Sequence, residues 1–428
     1  MIIKPVKRVG GEITPPADKS ISHRAVMFGA IADGTTHIEN CLLSADCLST
    51  IGCFRQLGID IAVNPDDCTV AVHGKGIDGL SAASETLDVG NSGTTTRLIS
   101  GILSGQGFSS TLSGDASLNS RPMKRIMTPL TQMGAKIESV NDNGCAPLKI
   151  EPSELKGIAY DSPIASAQVK SCVLLAGLYA DGETTVTEPS VSRDHTERML
   201  KAFGADIEHE GIKTVLRPGK RLFARDITVP ADISSAAYFI AAALTVRGSE
   251  LTIKNVSVNE TRAGILSVCE KMGAVIKREN EREISGEPVC DLIVKASKLC
   301  GTVIEGDIIP ALIDEIPIIC VMAATAEGQT VIRDAADLKN KESDRIKTTC
   351  EFLSAMGAQI TSTGDGMIIT GVPSLNGAKV KSYDDHRIAM SAAVAALNAS
   401  GPTEIENGEC VKISYPAFYE DLGGVCVD

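Results

Sequence analysis

Tryptophan is absent from this chain of 428 residues, and the other aromatic residues are few, with eight Phe and six Tyr. Small aliphatic side chains therefore have to fill the core, which suits thin layers of helix packed on sheet. An excess of positive charge is also absent, since the formal net charge is −13. We expect no nucleic acid or anionic membrane as a partner, because both would repel such a protein. Any site for anions must be a local cluster of Lys and Arg.

Patterns typical of metal sites, export and membrane spans are missing as well. The thirteen Cys residues form no CxxC pair, which predicts no zinc site and favours buried, reduced thiols. The opening segment, MIIKPVKRVGGEITPP, contains no apolar run of signal-peptide length. The longest apolar runs, such as 238–246 and 316–326, are too short to span a bilayer. We therefore expect a cytoplasmic protein without a membrane segment.

Six segments of the chain share one pattern, in which an apolar residue and Gly are followed by an alternating stretch. Glycine takes the left-handed conformation at helix ends without steric cost, so each segment predicts a helix end and then a strand. The six glycines are Gly58, Gly134, Gly204, Gly273, Gly357 and Gly423. They lie about 65 to 85 residues apart, which suits one α+β unit each. The sequence thus predicts six copies of one fold unit.

Six units divide most simply into two domains of three. After the third glycine segment, the basic stretch 213–225 leads to a helix predicted near Asp232. The opening residues are expected to form a strand that pairs with the second half. We predict one domain of residues 15–231 and another of residues 1–14 plus 232–428. The ligand site is expected in the cleft between them, because sites favour domain interfaces.

Basic side chains are concentrated where helices are predicted to begin. In ADKSISHRA, Asp18 or Ser20 caps a helix that runs to about Ala32. Ser20 and Arg24 share one face of that helix, and Lys19 lies in its first turn. Because the helix dipole is positive at this end, Lys19 requires a neighbouring anion. The segment therefore predicts an anion site.

Two further segments of the first half have the same character. The turn between Gly90 and Gly93 is expected to expose backbone amides as a nest for phosphate. It is not a P-loop, since no Lys follows the second glycine. In LNSRPMKR, Ser120 is expected to cap a helix with Pro122 in its first turn and Arg121 beside it.

The remaining helix starts of the first half also carry polar and basic residues. These residues are Ser166, Gln168, Lys170, Ser192, Arg193 and His195. One basic helix start is unremarkable, but several in a chain of charge −13 indicate a substrate with several negative charges.

The second half supplies carboxylates together with cations. The residues concerned are Asp314, Glu315, Lys341, Glu342, Arg345, Asp385, His386 and Arg387. Proton transfer requires carboxylates tuned by burial and neighbouring charge, which makes Asp314 and Glu342 the best candidates. Adjacent residues such as those at 384–386 do not converge on one metal ion.

In order and spacing, seven strings resemble those of the EPSP synthase family, that is, 3-phosphoshikimate 1-carboxyvinyltransferases. The strings are DKSISHRA, GNSGTTTR, SRP, SAQVKS, LIDEIP, KESDR and DDHR, and they cover essentially the whole chain. The resemblance implies an α/β fold of two lobes, each with three repeated βαβαββ units around a pseudo-threefold axis. It also implies transfer of the enolpyruvyl group of phosphoenolpyruvate to the 5-hydroxyl of shikimate 3-phosphate. A monomer is expected, with no metal or organic cofactor.

The resemblance also implies roles for individual residues. For shikimate 3-phosphate, Ser20 and Arg24 would hold the carboxylate, and the phosphate would bind Ser166, Ser192 and Arg193. For phosphoenolpyruvate, the phosphate would bind Gly93 and Arg121, and the carboxylate would bind Arg345 and Arg387. Gln168 and Lys19 would lie between the ligands, and Asp314 and Lys341 would contact the ring hydroxyls. The sequence leaves open which of Asp314, Glu342 and Lys19 makes each proton transfer.

Three strings, SAQVK, RDHTE and NETR, are similar to the second class of the family, which is often glyphosate-tolerant. That class has a glycine where Ala17 stands here, and Gly93 is retained where a methyl group would crowd the inhibitor. We therefore expect intermediate or poor sensitivity to glyphosate. Where the family has a late lysine, Ile413 aligns and Lys412 is its neighbour.

Two alternatives remain open at this point. One is the sister enolpyruvyl transferase that acts on UDP-N-acetylglucosamine, although its reactive loop Cys has no counterpart near Arg121. The other is a non-catalytic binder of phosphorylated metabolites. Such a receptor would gain nothing from Asp314 and Glu342, since carboxylates repel its ligands.

Overall fold

A computed structural model describes residues 1–427, and the chain divides into two compact units. The continuous unit is Ala17–Val229, and the discontinuous unit combines Met1–Pro16 with the chain from Pro230 onward. Each unit has its own hydrophobic core. None of the helices within residues 1–427 combines the length and apolar character needed to cross a bilayer.

The helices are listed here in chain order. They are α1 (Lys19–Ala30), α2 (Ala45–Gln56), α3 (Gly93–Ser104), α4 (Lys124–Gln132), α5 (Ala167–Gly177), α6 (His195–Ala202), α7 (Ile233–Thr245), α8 (Gly264–Lys271), α9 (Ile309–Leu312), α10 (Ile316–Ala324), α11 (Arg345–Ala355), α12 (His386–Leu397) and α13 (Phe418–Val425). Short 3-10 turns cover Leu118–Ser120, Gly306–Ile308, Ala336–Asn340 and Gly408–Ile413.

The strands follow the same order. They are β1 (Ile2–Ile3), β2 (Arg8–Ile13), β3 (Asp33–Glu39), β4 (Asp60–Asn64), β5 (Thr69–Lys75), β6 (Leu87–Asp88), β7 (Ser110–Ser113), β8 (Lys136–Ser139), β9 (Leu148–Glu151), β10 (Ala159–Asp161), β11 (Thr184–Thr187), β12 (Asp206–Glu210), β13 (Lys213–Arg217), β14 (Ile227–Thr228), β15 (Glu250–Ser257), β16 (Ile276–Ile284), β17 (Glu287–Lys295), β18 (Val303–Ile304), β19 (Gln329–Ile332), β20 (Gln359–Ser362), β21 (Met367–Thr370), β22 (Lys379–Lys381), β23 (Thr403–Glu406) and β24 (Cys426–Val427).

Three four-stranded sheets in the continuous unit repeat one topology. Their strand orders are β14-β3-β5-β4, β6-β7-β9-β8 and β10-β11-β13-β12. In each sheet the first two strands are parallel and the following pairs are antiparallel. The continuous unit is therefore built from three similar α/β repeats.

The sheets of the discontinuous unit vary the same plan. Their orders are β16-β17-β15-β2-β24, β18-β19-β21-β20 and β1-β23-β22. Each contains one parallel pair, namely β2 with β15, β18 with β19, and β22 with β23. The opening strands β1 and β2 thus pair with strands from the second half of the chain, with Leu251 opposite Gly11 in one register.

Five of the six predicted helix-ending glycines are confirmed. Gly58, Gly134, Gly204, Gly273 and Gly357 have φ between +86° and +101°, and a strand follows each one. The prediction for Gly423 is wrong. The helix α13 continues through Gly423 to Val425 and passes directly into extended backbone, with φ −78° and ψ 137° at Cys426. No left-handed residue is needed there, because the short strand β24 pairs with β2 without a reversal.

Buried helices bring the ends that carry the candidate residues together. In the continuous unit α3 packs on α1 and α5, and in the discontinuous unit α7, α10 and α12 pack on one another. Side-chain caps fix several helix starts, as Asp18 accepts from the amide of Ile21 and Ser92 from that of Thr95. Asp232 and Asp385 cap α7 and α12 in the same way. The functional side chains next to these caps are thereby placed on rigid elements.

Candidate active site

Lys19, the first residue of α1, forms an ion pair inside the continuous unit. Its Nζ lies 2.9 Å from Oδ2 of Asp46, and the two side chains are 18% and 10% exposed. Asp46 stands in the first turn of α2, where the helix dipole favours a carboxylate. The anion that Lys19 requires at a helix start is therefore present in the protein itself, and the sequence prediction missed it.

Arg24 is buried one turn further along α1 and donates to three oxygen atoms. Its Nε donates to Oγ1 of Thr196 at 2.7 Å, and its Nη2 donates to Oγ of Ser171 at 2.9 Å. Its Nη1 donates to the backbone carbonyl of Ser20 at 2.9 Å. These bonds join α1 to α5 and α6 and fix the orientation of the guanidinium beside Ser20.

The turn before α3 differs in part from the predicted phosphate nest. The amide of Gly90 donates to Oδ1 of Asp88, and the amide of Ser92 donates to the carbonyl of Val89. These two amides therefore serve the turn itself and are not available as a nest. Gly93 opens α3, where backbone amides have no acceptor within the helix.

Two arginines converge beside Gly93. A Cβ atom added at Gly93 would lie 3.3 Å from Nη1 of Arg97 and 3.5 Å from Nη1 of Arg121. Arg121 donates to Oδ1 of Asn91 at 2.5 Å and to Oγ of Ser117 at 3.2 Å. The sequence analysis did not select Arg97, although its position four residues after Gly93 on one helix was a usable signal.

The helix after Arg121 begins later than predicted. Ser120 ends a 3-10 turn, and α4 starts at Lys124 with Met123 before it, so Ser120 is not a cap and Pro122 precedes the helix. The 3-10 turn competes with the helix for these residues, since the amide of Arg121 donates to the carbonyl of Leu118.

Gln168 connects α5 to α3. Its Oε1 accepts from Nη1 of Arg97 at 2.5 Å, and its Nε2 donates to Oγ1 of Thr94 at 3.0 Å. Gly93, Arg121 and Gln168 thus belong to one polar cluster, which Arg97 links together.

Ser166 and Ser192 lie near a second polar cluster of the same unit. Ser166 caps α5, and its amide donates to Oε1 of Glu188 at 3.0 Å. The hydroxyl of Ser192 is buried and has no hydrogen-bond partner within residues 1–427, while Arg193 beside it is half-buried. A buried hydroxyl without a partner carries a desolvation penalty that a ligand oxygen could relieve.

In the discontinuous unit, Arg345 is buried among three carboxylates. Its Nε lies 2.9 Å from Oδ2 of Asp385, its Nη1 lies 3.3 Å from Oδ1 of Asp314, and its Nη2 contacts Glu342. A second bond from Nη2 to Asp385 at 3.2 Å completes a bidentate fork. Burial alone would lower the pKa of Arg345, but Asp385 and Glu342 outweigh it and raise that pKa.

Asp314 lies among three cations. Its Oδ1 is 3.5 Å from Nζ of Lys341 and 3.3 Å from Nη1 of Arg345, and its Oδ2 is 3.9 Å from Nη2 of Arg387. The side chain is 14% exposed. The structure therefore brings together Asp314, Lys341, Glu342, Arg345 and Arg387, which the sequence had predicted as site residues.

Arg387 is supported by a network that the sequence analysis missed. Its Nη1 lies 3.7 Å from Oε1 of Glu315, and Glu315 accepts from Arg262 at 3.0 Å and also from Ser234. Burial would lower the pKa of Arg387, but Asp314 and further neighbouring anionic groups raise it. The string NETR contained Arg262, but nothing in its spacing indicated a partner 53 residues away.

Lys412, the neighbour of the position where the family has a late lysine, has an exposed side chain. It is 66% exposed and pairs with Glu409 at 2.7 Å in a 3-10 turn.

No group of three or more His, Cys, Asp or Glu suited to a metal ion occurs within the described residues 1–427.

Comparisons with known proteins identify the family of this chain. The family model described as EPSP synthase (3-phosphoshikimate 1-carboxyvinyltransferase) matches residues 3–422. A 3-phosphoshikimate 1-carboxyvinyltransferase from Brevibacillus brevis is 54% identical over 420 residues, which cover 98% of each chain. One from a Thermoanaerobacter species is 55% identical over 418 residues, with the same coverage.

Solved structures confirm the predicted fold class. An EPSP synthase structure from Acinetobacter baumannii matches with a TM-score of 0.87 at 47% identity, covering 99% of this chain and 97% of that one. The enolpyruvyl transferase NikO from Streptomyces tendae matches with a TM-score of 0.80 at 19% identity, which supports the fold alone. The fold is therefore the α/β enolpyruvyl transferase fold, with two lobes of three repeats. The protein belongs to the EPSP synthase (3-phosphoshikimate 1-carboxyvinyltransferase) family.

Proposed function

We infer that this enzyme transfers the enolpyruvyl group of phosphoenolpyruvate to the 5-hydroxyl of shikimate 3-phosphate. The products are 5-enolpyruvylshikimate 3-phosphate and phosphate. Full-length relatives at 54% and 55% identity carry the name of this activity. Both substrates are small anions, in agreement with the basic helix starts of a chain whose net charge is −13.

The observation that carries this function is the position of Asp314 among Lys341, Arg345 and Arg387. A receptor that only bound anions would be weakened by a carboxylate in its centre, because like charges repel. An enzyme that must take a proton from a hydroxyl beside an anionic substrate requires such a base. Asp314 therefore favours catalysis over simple binding.

We assign the shikimate 3-phosphate groups to residues of the continuous unit. The carboxylate would be bound by Ser20 and Arg24, and the phosphate by Ser166, Ser192 and Arg193. The buried Ser192 hydroxyl without a hydrogen-bond partner in residues 1–427 supports this assignment. Lys341 and Asp314 would contact the ring hydroxyls, and Gln168 would lie between the two substrates.

Phosphoenolpyruvate would be held by residues of both units. Its phosphate would bind the Gly93 amide and Arg121, and its carboxylate would bind Arg345 and Arg387 through their planar guanidinium groups. Lys19 would lie between the substrates. This assignment requires one site in the cleft between residues 15–231 and residues 1–14 plus 232–428, which we propose as the domains.

The reaction proceeds by addition and elimination. Protonation of the methylene carbon places positive charge on the neighbouring carbon, which the 5-hydroxyl attacks while a base takes its proton. The adduct then loses phosphate and one methyl proton, which restores the double bond. We propose that Asp314 accepts the hydroxyl proton and that Glu342 exchanges the proton at carbon. Lys19 and the arginines would stabilise the anionic groups in reacting geometry.

Phosphate release tests this function directly. The purified enzyme is expected to release phosphate only when phosphoenolpyruvate and shikimate 3-phosphate are both present. Release with UDP-N-acetylglucosamine in place of shikimate 3-phosphate would reassign the enzyme to the sister activity. Binding of shikimate 3-phosphate without any release would instead support the non-catalytic alternative.

Within the family, we propose membership of the second, often glyphosate-tolerant class. The strings SAQVK, RDHTE and NETR support it, whereas Gly93 leaves space for the inhibitor and Ala17 departs from the class pattern. Intermediate or poor inhibition by glyphosate is therefore expected. Inhibition at concentrations close to the enzyme's affinity for phosphoenolpyruvate would reject this assignment.

We further propose a monomeric enzyme in the cytoplasm. Buried cysteines such as Cys41, Cys47 and Cys172 are free thiols, which suits a reducing compartment. Burial raises the pKa of the Cys41 and Cys53 thiols to about 12, so both are unreactive. Light scattering during gel filtration is expected to give the mass of one chain, 44.8 kDa. A mass of twice that value would contradict the monomer.

A further inference from the structure

Lys170 lies in the interior of the continuous unit between two buried glutamates. Its Nζ is 2.7 Å from Oε2 of Glu188 and 2.7 Å from Oε1 of Glu197, and the three side chains are between 1% and 4% exposed. The same Nζ donates to the backbone carbonyl of Ser192 at 3.4 Å. Because an ammonium group has three N–H donors, these three acceptors use its full capacity.

Neighbouring carboxylates keep the Lys170 side chain protonated. Burial alone would lower the pKa of Lys170, but the carboxylates of Glu197 and Glu188 outweigh it and raise that pKa. The buried ammonium is therefore a permanent link between the segments that supply its acceptors.

Glu188 uses its two carboxylate oxygens for two different partners. Oε2 contacts Lys170, and Oε1 accepts from the backbone amide of Ser166 at 3.0 Å. A carboxylate can accept at both oxygens simultaneously, whereas a side-chain amide has a single oxygen. Glu188 therefore joins the Lys170 ammonium to the residue that caps α5.

We propose that Lys170 and Glu188 are positioning residues that fix the spacing of Ser166 and Ser192 for the phosphate of the substrate. Ser166 is anchored through its amide and Ser192 through its carbonyl, so both main-chain anchors meet at one buried charge. The Ser192 hydroxyl, which has no partner within residues 1–427, can bind a ligand, and the Ser166 hydroxyl can still donate to one while it accepts from the amide of Val169. Holding them in place before the ligand arrives lowers the entropic cost of binding. This inference rests on the proposed function, in which these serines bind shikimate 3-phosphate.

If Glu188 is neutralised, a positioning role and a purely electrostatic role predict opposite changes in the affinity for the phosphate-bearing substrate. The cluster of Lys170, Glu188 and Glu197 has an excess of one negative charge, which opposes the binding of a nearby phosphate. Neutralising Glu188 should therefore strengthen binding if only charge matters. It should weaken binding if the bridge to Ser166 matters, because a Gln cannot serve both partners.

The test compares Glu188→Gln with Glu197→Gln in the full-length enzyme. Both changes remove the same charge beside Lys170, but Glu197 has no bond to Ser166 or Ser192. The oxygen of Glu197 in use accepts from Lys170 and from Thr214, so a Gln can keep both bonds. Steady-state phosphate release gives kcat and KM for each substrate, and thermal unfolding checks that each variant is folded.

For Glu188→Gln we expect KM for shikimate 3-phosphate to rise about tenfold, with kcat and KM for phosphoenolpyruvate within about twofold of wild type. Glu197→Gln is expected to change every constant by less than about twofold. An unchanged or lowered KM in Glu188→Gln, or an equal rise in both variants, would overturn the proposal.

Two additional experiments cover a variant that does not fold and a failure of the proposed function. If Glu188→Gln does not fold, Glu188→Asp replaces it; the shorter carboxylate is expected to raise the same KM, and an unchanged value overturns the proposal. Wild-type enzyme is assayed first. If it releases no phosphate from the two substrates, the proposed function fails. If it does and the Glu188 variants bind normally, only the positioning role fails.

Discussion

Two candidate site arginines from each unit can be compared by the acceptors that they contact. In the continuous unit, Arg24 and Arg121 donate to hydroxyl, amide and carbonyl oxygens. In the discontinuous unit, Arg345 and Arg387 face the carboxylates of Asp314, Glu315, Glu342 and Asp385. A neutral acceptor orients a guanidinium and leaves its positive charge uncompensated. A carboxylate orients the guanidinium and also compensates its charge.

Under the roles that we propose for these residues, this difference separates two tasks of the enzyme. Oriented cations suit the binding of phosphates and carboxylates, and we expect substitutions in the continuous unit to act mainly on KM. Carboxylates among cations suit proton transfer, and we expect substitutions of Asp314 and Glu342 in the discontinuous unit to act mainly on kcat. The following predictions test that division in order of decreasing effect.

The largest effect is expected for Asp314→Asn. Asparagine keeps the size of the side chain but cannot accept a proton, so kcat should fall about 10³-fold, with KM for shikimate 3-phosphate within about threefold. Steady-state phosphate release measures both constants.

Asp337→Asn is the matched control, since Asp337 also contacts Lys341, at 3.4 Å, but is 41% exposed. Its kcat should stay within about twofold of wild type. A decrease of less than about tenfold in Asp314→Asn, or an equal decrease in the control, would remove Asp314 from proton transfer.

The free energies of unfolding of Arg345→Met and Arg24→Met test whether an arginine bound to carboxylates contributes more stability than one bound to neutral oxygen atoms. Both arginines are buried, but Arg345→Met leaves Asp385 and Glu342 without their cation and should cost about 3–5 kcal/mol. Arg24→Met leaves hydroxyl groups that can rotate, and should cost about 1–3 kcal/mol. Urea unfolding measures both values. Equal costs would show that the two units do not differ in this respect.

The pKa of the buried His23 on α1 is sensitive to the neighbouring positive charges. Burial lowers its pKa well below 6.5, and Lys19 and Arg24 lower it further, so the folded protein holds a neutral imidazole. As the pH falls below 6.5, the unfolded chain gains a proton that the folded chain does not bind. The free energy of unfolding should therefore decrease by up to about 1.4 kcal/mol per pH unit.

His23→Asn removes this titrating group while an amide can still bond to Thr50, the partner of Nδ1 at 2.7 Å. Unfolding free energies measured between about pH 7.5 and pH 5 should fall less steeply for the variant than for wild type. Parallel curves for the two proteins would contradict the lowered pKa of His23.

The smallest effect is expected for Gly93→Ala. The new methyl group would press on the guanidinium groups of Arg97 and Arg121, at 3.3 and 3.5 Å. We expect KM for phosphoenolpyruvate to rise about threefold to fivefold, with KM for shikimate 3-phosphate nearly unchanged. Gly107→Ala, whose methyl group would meet no atom of residues 1–427 within 4 Å, is the control. Equal kinetics in both variants would place the phosphoenolpyruvate phosphate elsewhere.

Local rules allowed much of this fold to be predicted. Five glycines end helices as expected, because the left-handed conformation depends only on the residues around it. The prediction failed at Gly423, where α13 continues, and at Ser120, where a 3-10 turn replaces the helix start. In both places the same residues could adopt more than one local conformation.

Candidate residues for the site could be selected from the sequence, but the contacts that these residues make could not. The predicted helix starts pointed to Lys19, Arg24, Arg345 and Arg387 as candidates. However, Thr196 binds Arg24 from 172 residues away, and Asp46 binds Lys19 from 27 residues away. No spacing rule indicates such partners, because tertiary packing alone brings them together. For the same reason Lys170 was visible as a helix-start residue, while its bonds to Glu188 and Glu197 were not.

The central claim is that cations from both units bind one molecule of phosphoenolpyruvate. A crystal structure of the enzyme with shikimate 3-phosphate and an unreactive phosphoenolpyruvate analogue tests it most directly. The account predicts Arg121 of the continuous unit and Arg345 and Arg387 of the discontinuous unit within about 3 Å of the same analogue. An analogue bound only by residues of one unit would contradict it.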